Sequence, residues 1–344
     1  MKTTHSQDLI AATMACLLAV AIGTAHAADV GHYEHGLMNI RDYAVPDPGF
    51  YFADYNYYYT TTRLNDGSGN KINSITIKPG PGPGLTLKVN VDVDIYANAP
   101  TLIWVTPWKL LGAKYGAYIA PSFANSSLDA GLSTENGRGV NPSTSSFGVG
   151  DLFVMPVWLG WKFPHWDLAL GYGFYAPIGK YDTKTVTLPI VGPVKTTSPD
   201  NIGLGFWEQQ VQGTVVWYPM TNMGTAVMAT LTYETCGNKS DFSVTPGDDL
   251  TLNWGISQYL PLNKAQTLLV EIGPAGYDSW QITGETGSGA SNSSARYQTH
   301  GVGGQIGLSS VRWDAALNFH YFYEYYSENT FQGQSFTVSI AKKF

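Results

Sequence analysis

Histidines, serines and cysteines are the residues from which a catalytic or metal site could be assembled, and their placement supports neither. His300 and His320 each fall in a segment of alternating side chains. A Ser-His lipid hydrolase would need its nucleophile and base on an apolar, lipid-exposed face, and no apolar face here carries that pair. His320 falls on a polar face, where a hydrogen-bonded histidine is the ordinary arrangement. His32 and His35 lack the cysteine or acidic spacing of a metal centre, so neither metal nor cofactor is expected. Gly301-Val302-Gly303-Gly304 has no strand–helix unit after it and is no nucleotide loop. Small residues in a tightly curved strand account for it better. These residues point away from an enzyme and toward a chain that lines a passage.

The lining candidates come from alternation. From Leu85 to Asn98, the odd positions Leu85, Leu87, Val89, Val91, Val93, Ile95 and Ala97 are apolar, opposite Lys88, Asn90, Asp92 and Asp94. Successive side chains of a strand point to opposite faces, so this segment has one apolar and one polar face. The same period puts Tyr51, Ala53, Tyr55, Tyr57 and Tyr59 opposite Asp54 and Asn56. It puts Trp313 to Tyr325 opposite Asp314, Asn318, His320 and Glu324. Val211, Gly213, Val215 and Trp217 oppose Glu208, Gln210 and Gln212; Leu231 and Tyr233 oppose Glu234; Leu252 and Trp254 oppose Asn253. If polar faces turn inward, the permeation candidates are Asp54, Lys88, Asn90, Asp92, Asp94, Glu208, Gln210, Gln212, Glu234, Asn253, Asp314, His320 and Glu324, joined by Asp249 and Glu271. That acid excess would disfavour anions and attract cations or neutral solutes. Phe50, Phe52, Tyr58, Phe153, Met155 and Phe322 would add aromatic and apolar lining or fill space between strands.

Twelve such segments are needed to position these residues. The chain has 344 residues, 44% hydrophobic and 13% charged, with 22 Tyr, 10 Trp, 14 Phe and 38 Gly. Such a composition excludes disorder. With 19 basic against 26 acidic residues, it also lacks the electrostatic footprint of a nucleic-acid binder. No run of 18 apolar residues follows the N-terminus, which excludes a helical membrane protein. Short links near 106–112, 163–166, 219–222, 261–266 and 309–310 alternate with long polar links near 63–83, 125–146, 180–201, 237–247, 284–295 and 327–333. A soluble sandwich has alternating strands too, but no reason to sort its loops by length. The expected fold is all-β: a transmembrane antiparallel up-and-down β-barrel of about twelve strands over residues 47–344, with long extracellular loops and short periplasmic turns.

Residues 1–27 read as a secretory signal, with Lys2 ahead of a mostly apolar stretch and Ala25-His26-Ala27 as the cleavage site. Cleavage leaves one cysteine, Cys236, and hence no intramolecular disulfide. Residues 28–46, carrying His32, Tyr33, His35 and Arg41, show no alternation and form either a frayed periplasmic segment or a plug inside the lumen. At the other end Phe336, Val338, Ile340 and the terminal Phe344 resemble the signal by which the barrel-assembly machinery recognises outer-membrane proteins; Lys342 departs from it, and its ammonium can snorkel to water.

The motifs His32-Tyr33-x-x-Gly36, Pro46-x-Pro48-Gly49-Phe50-Tyr51, Gly150-Asp151-Leu152 with Pro156, Pro177-x-Gly179-Lys180-Tyr181-Asp182, Asn201-x-Gly203-x-Gly205-x-Trp207 and Pro246-Gly247-Asp248 follow one another along the chain. In that order the sequence resembles the bacterial outer-membrane family named for the MetA pathway of phenol degradation. The resemblance implies an outer-membrane barrel passing aromatic or other hydrophobic compounds inward. Its partners would be the lipid bilayer and a small hydrophobic solute. A twelve-stranded barrel lies between filled eight-stranded and open sixteen-stranded ones, so a narrow or partly plugged lumen is expected. The competing functions are a non-transporting structural or adhesive barrel and a lipid-modifying enzyme.

Overall fold

The computed structural model describes residues 31–77, 84–137, 139–140, 143–188, 192–198, 201–290 and 293–344, and contains strands and turns with no helix among them. The signal expected over residues 1–27, and residues 28–30 after it, lie outside the described residues. Twelve strands make the wall: β1 (Gly49–Thr61), β2 (Leu85–Leu110), β3 (Ala113–Ala120), β4 (Leu152–Lys162), β5 (Trp166–Ala176) and β6 (Glu208–Trp217), followed by β7 (Thr225–Cys236), β8 (Asp249–Pro261), β9 (Leu268–Gln281), β10 (Gln298–Ser310), β11 (Ala315–Glu328) and β12 (Gln334–Lys343). Each pairs antiparallel with the next, and β1 pairs with both β2 and β12, which closes the cylinder. The closing ladder runs from Tyr51↔Lys343 to Thr60↔Gln334. Leu111 and Gly112, at φ 53° and 77°, make the two-residue left-handed turn that a tight hairpin uses. Where Pro156 removes a donor from β4, the β4–β5 pairing shifts register between Val154 and Val157. Short turns gather on one rim and long loops on the other.

Strand alternation sorts the wall into faces. On β6 to β12 the outer face is apolar: Val211, Val215, Leu231, Ile256, Ile272, Ile306, Phe319, Val338 and Ile340 are all exposed. Aromatic rings band the short-turn end. Phe50 stacks on Trp104 at 5.9 Å, Trp104 meets Trp108 edge-on, and Trp166 stacks on Trp217 at 5.8 Å. Tyr321, Tyr323 and Tyr325 lie toward the other end of β11. This is an apolar belt with aromatic edges, as a bilayer requires. Phe336, Val338 and Ile340 point outward from β12, and the Phe344 N–H donates to the Phe50 carbonyl at 2.9 Å.

On β1 and β2 the expected orientation is reversed. Ala53, Tyr55, Tyr57, Val91 and Val93 are buried, whereas Phe50, Tyr58, Tyr96, Lys88, Asn90 and Asp92 are exposed. The residues sharing each face are those the alternation predicts, but the aromatic and aliphatic face turns inward. Asp54, Lys88, Asn90, Asp92 and Asp94 therefore lie on the outer face, not in the lumen. Much of this stretch stands clear of any belt. Beyond Val93, which pairs with the last residue of β1, β2 projects past the long-loop rim. There it pairs with Ser74–Ile77 and with the end of the strand Phe123–Ser133, which starts opposite Asn98 within the wall and in turn pairs with Ser143–Val149. Leu87, Ala130 and Leu132 close a small apolar cluster within that projection. The stretch 125–146 thus contains strands rather than a simple link, and 180–201 contains a hairpin of Thr183–Leu188 and Gly192–Thr197.

Nearer the belt's middle, the outward Asp54 carboxylate is satisfied within the chain. Asn98 donates to it at 2.8 Å and Asn56 at 3.1 Å, and Tyr96 donates to Asn56 at 2.6 Å. A carboxylate beside hydrocarbon is costly unless its oxygens are paired. Asn98→Ala removes one of those donors, so barrel stability measured by urea titration in lipid vesicles is expected to fall by about 1–3 kcal/mol.

Candidate functional site

Residues 31–47 run the length of the lumen, from the long-loop rim to the short-turn rim, where the chain turns into β1. At the upper end the Gly31 N–H donates to Asp249 at 3.1 Å and the His32 N–H to Glu208 at 3.1 Å. The His32 ring lies between two carboxylates, Nδ1 3.0 Å from Glu208 and Nε2 2.8 Å from Asp151, and stacks on Tyr175 at 4.6 Å. Asp151 sits in the turn into β4 and also accepts the Gly179 and Leu204 N–H groups at 2.8 Å each.

Midway, Asn253 of β8 donates to the Tyr33 hydroxyl at 3.0 Å and accepts the Gly36 N–H at 2.9 Å. His320 of β11 lies between the Gly36 carbonyl and the Asn39 side chain. Gly36 has φ 74°, and a Cβ there would come within 2.9 Å of the Phe322 ring, so backbone and space both require glycine. The bare backbone of Gly255 likewise admits Ile40, whose Cδ1 lies 2.7 Å from where a Cβ would stand. Ile40 and Tyr43 join Val216, Tyr218, Met228, Tyr277 and Phe322 in one buried cluster.

At the lower end Arg41 is clamped. It donates to Glu271 at 3.1 Å, to Ser257 at 3.2 Å and to the Met223 and Gly224 carbonyls at 3.0 and 2.7 Å, over the Tyr259 ring at 3.9 Å. Polar residues of β6 to β11 thus turn inward and bind a polar strap.

Electrostatics follow from burial. For His32, burial alone would lower the pKa, but the hydrogen bonds and charges of Asp151 and Glu208 reverse this and raise it from 6.5 to about 9. With both ring nitrogens against carboxylates, the imidazolium is the form that fits. The Asp42 carboxylate accepts from Asn39 at 2.7 Å.

Between the strap and β1 to β4 the lumen is left open. A cavity of about 1040 Å³ lies there, lined by Tyr55, Tyr57, Tyr59, Ile95, Ala97, Ala99, Ile103, Tyr118, Phe153 and Trp158, with Leu37, Met38 and Val45 of the strap on its other side. That volume stands at the top of the usual ~300–1,000 Å³ range of small-molecule sites. Ser122, Gly150 and Ile202 line it toward the long-loop rim, and Lys114, Lys162 and Lys343 toward the short-turn rim.

The expected lining residues therefore separate into groups. Glu208, Gln210, Gln212, Glu234, Asn253, His320 and Glu324 are on the inner face and buried. Of these, Glu208, Asn253, His320 and Glu324 bind or face the strap, with Glu324 3.8 Å from His35. Asp314 lies in the exposed turn before β11, at the cavity's mouth. Phe153, Met155 and Phe322 are buried inside, whereas Phe50 and Tyr58 are exposed outside. The acid excess expected to face the permeant is mostly turned outward or engaged by the strap.

Asp151 and the inward tyrosines of β1 were not among the expected lining residues. Asp151 stands in the motif Gly150-Asp151-Leu152, a signal that spacing leaves open. The tyrosines carry none, because tyrosine suits a lumen and a membrane interface alike.

Among the described residues no group of three or more His, Cys, Asp or Glu side chains is placed to hold a metal ion. A closed wall with an apolar belt and a strapped lumen defines a β-barrel of the outer-membrane type. Residues 61–340 match the family described as "Putative MetA-pathway of phenol degradation", and the chain belongs to that family. Among solved structures it is similar to the COG4313 outer membrane channel from Pseudomonas putida F1, at 14% identity and TM-score 0.61, covering 89% of this chain and 100% of that one. It is more distantly similar to the CymD monoaromatic hydrocarbon channel, at 10% identity and TM-score 0.38, covering 95% and 97%. No curated protein sequence matches it.

Because the folded pKa of His32 exceeds its unfolded value, its contribution to holding the strap is full below about pH 6.5 and is lost as pH rises through about 9. Hydrogen-exchange protection at residues 31–36, corrected for intrinsic exchange, is expected to fall between pH 7 and 10. His32→Gln is expected to lower it already at pH 7 and to flatten that pH dependence.

Proposed function

We propose that the chain is an outer-membrane channel for passive, facilitated uptake of small hydrophobic or aromatic compounds. In this reading residues 1–27 are a secretory signal, the long loops face outward from the cell and the short turns face the periplasm. The observation that carries it is the division of the lumen: polar walls hold the strap, and a large cavity is left against tyrosine, alanine and isoleucine side chains. Aromatic solutes shed water against such a wall, and rings pair with the tyrosine faces. A structural or adhesive barrel would have no use for that space.

A catalytic role is not part of this proposal. His320 is buried in strap contacts, and His300 is bonded to Asp278 at 2.7 Å and to Gln298 at 3.3 Å, with no serine nucleophile among these contacts. Movement is down a gradient, since no ATP-binding loop is present in the sequence. The strap (residues 31–47) limits what can pass.

Liposomes containing the protein are expected to take up neutral aromatics faster than empty liposomes, measured by swelling. Equal rates would remove the transport reading. Deleting residues 28–44 is expected to raise single-channel conductance severalfold in planar bilayers, and unchanged conductance would show that the strap does not obstruct the path.

A further inference from the structure

At its short-turn mouth the cavity is lined by lysines as well as by carboxylates. At the short-turn mouth Lys114 donates to Asp47 at 2.7 Å and to the Pro46 carbonyl at 3.3 Å. Lys162, at the end of β4, and Lys343, at the end of β12, line the same mouth. Both act on the Asp47 carboxylate, which the three ammoniums, Lys114 foremost, hold below the ordinary carboxylate range. Neither Lys162 nor Lys343 is in an ion pair among the described residues; the Lys343 ammonium lies 5.5 Å from the Tyr51 ring centroid. Three ammoniums therefore surround one carboxylate. Lys342 also borders the mouth but donates to the Trp313 carbonyl. Asp167 and Asp314 border it too; Asp167, opposite Lys162 in the ladder, accepts from the Tyr218 hydroxyl at 2.7 Å through one oxygen while the other has no hydrogen-bond partner, and Asp314 stands exposed in its turn.

Directly above the lysines the wall is apolar, with Ala53, Ile103 and Trp158 leading into the tyrosine-lined space. We propose that this mouth is a binding site for the carboxylate of an amphipathic acid, its apolar body in the cavity and its carboxylate against Lys162 and Lys343. The inference deepens the channel reading and rests on it, naming hydrophobic carboxylates as a preferred class of solute. The Lys114–Asp47 contact shows the arrangement in miniature, an ammonium and a carboxylate meeting at this rim. A second carboxylate finds two further donors there, and charge-assisted hydrogen bonds are about twice as strong as neutral ones.

The test uses the full-length protein in phosphatidylcholine nanodiscs, with tritiated 4-phenylbutyrate and the neutral 4-phenylbutan-1-ol as probes of equal body. Binding is measured by equilibrium dialysis at pH 7 with empty discs subtracted. The acid is expected to bind about tenfold more tightly than the alcohol. Lys162→Gln with Lys343→Gln is expected to abolish that preference, and Asp47→Asn, which removes the competing carboxylate, to widen it. Binding of the alcohol as tightly as the acid, or a preference that survives loss of both lysines, overturns the carboxylate site while leaving the channel reading intact. Binding of neither probe overturns both.

Discussion

In a hydrocarbon layer no water is present to accept a backbone N–H, and an unpaired peptide group there costs several kcal/mol. Everything else in this molecule answers to that constraint. It forbids an open sheet edge, so β1 must meet β12, and one ladder from Tyr51↔Lys343 to Thr60↔Gln334 completes the cylinder. Closure then fixes an inside and an outside, and each side chain of the wall is assigned to one of them by the two-residue period of a strand. The outward Asp54 obeys the same rule at the side-chain level, since its carboxylate is met by two asparagine amides of its own chain.

Closure also creates a lumen that must be filled or wetted. The chain fills half of it with its own N-terminal strap and leaves the other half open. Strap and wall are matched chemically. Arg41 meets Glu271, His32 meets Glu208 and Asp151, and peptide groups meet Asn253 and Gln305. β1 to β4 offer fewer partners: Lys114 donates to Pro46 and Asp47 at the rim, while the strap turns Met38 and Val45 toward that side. The cavity is what remains when a polar ligand belonging to the chain itself has chosen the polar side.

Much of this was legible in the sequence. Alternation marked eight of the twelve wall strands cleanly, with mixed faces over 113–122, 149–162, 267–281 and 297–308, and the sorting of links by length gave the two rims. Composition could not say which face of β1 and β2 turns inward. The rule that polar residues face the lumen presumes a water-filled interior, and β1 and β2 instead wall an aromatic cavity or stand clear of the belt. Tyr55 and Tyr57, opposite Asp54 and Asn56, read as outward-facing from sequence, yet they are buried, because the same ring serves a lumen and a membrane interface. His32, Tyr33, His35 and Arg41 were recognisable as a group, but their partners were not. Asp151 and Glu208 are 119 and 176 positions from His32, and no local period links them. The lysines of the mouth were illegible for the same reason, being brought together only by closure.

The strap has a consequence for mechanics. It is anchored covalently at the short-turn rim, where Pro46 to Gly49 lead into β1, and among the described residues its upper end is held by noncovalent contacts around His32. A tug from the short-turn side would peel the strap's contacts one after another, beginning with Arg41 and ending with His32. A push from the opposite side would load all of them together against their own tether. The strap therefore has a preferred direction of withdrawal, yielding stepwise to traction from beneath and resisting pressure from above.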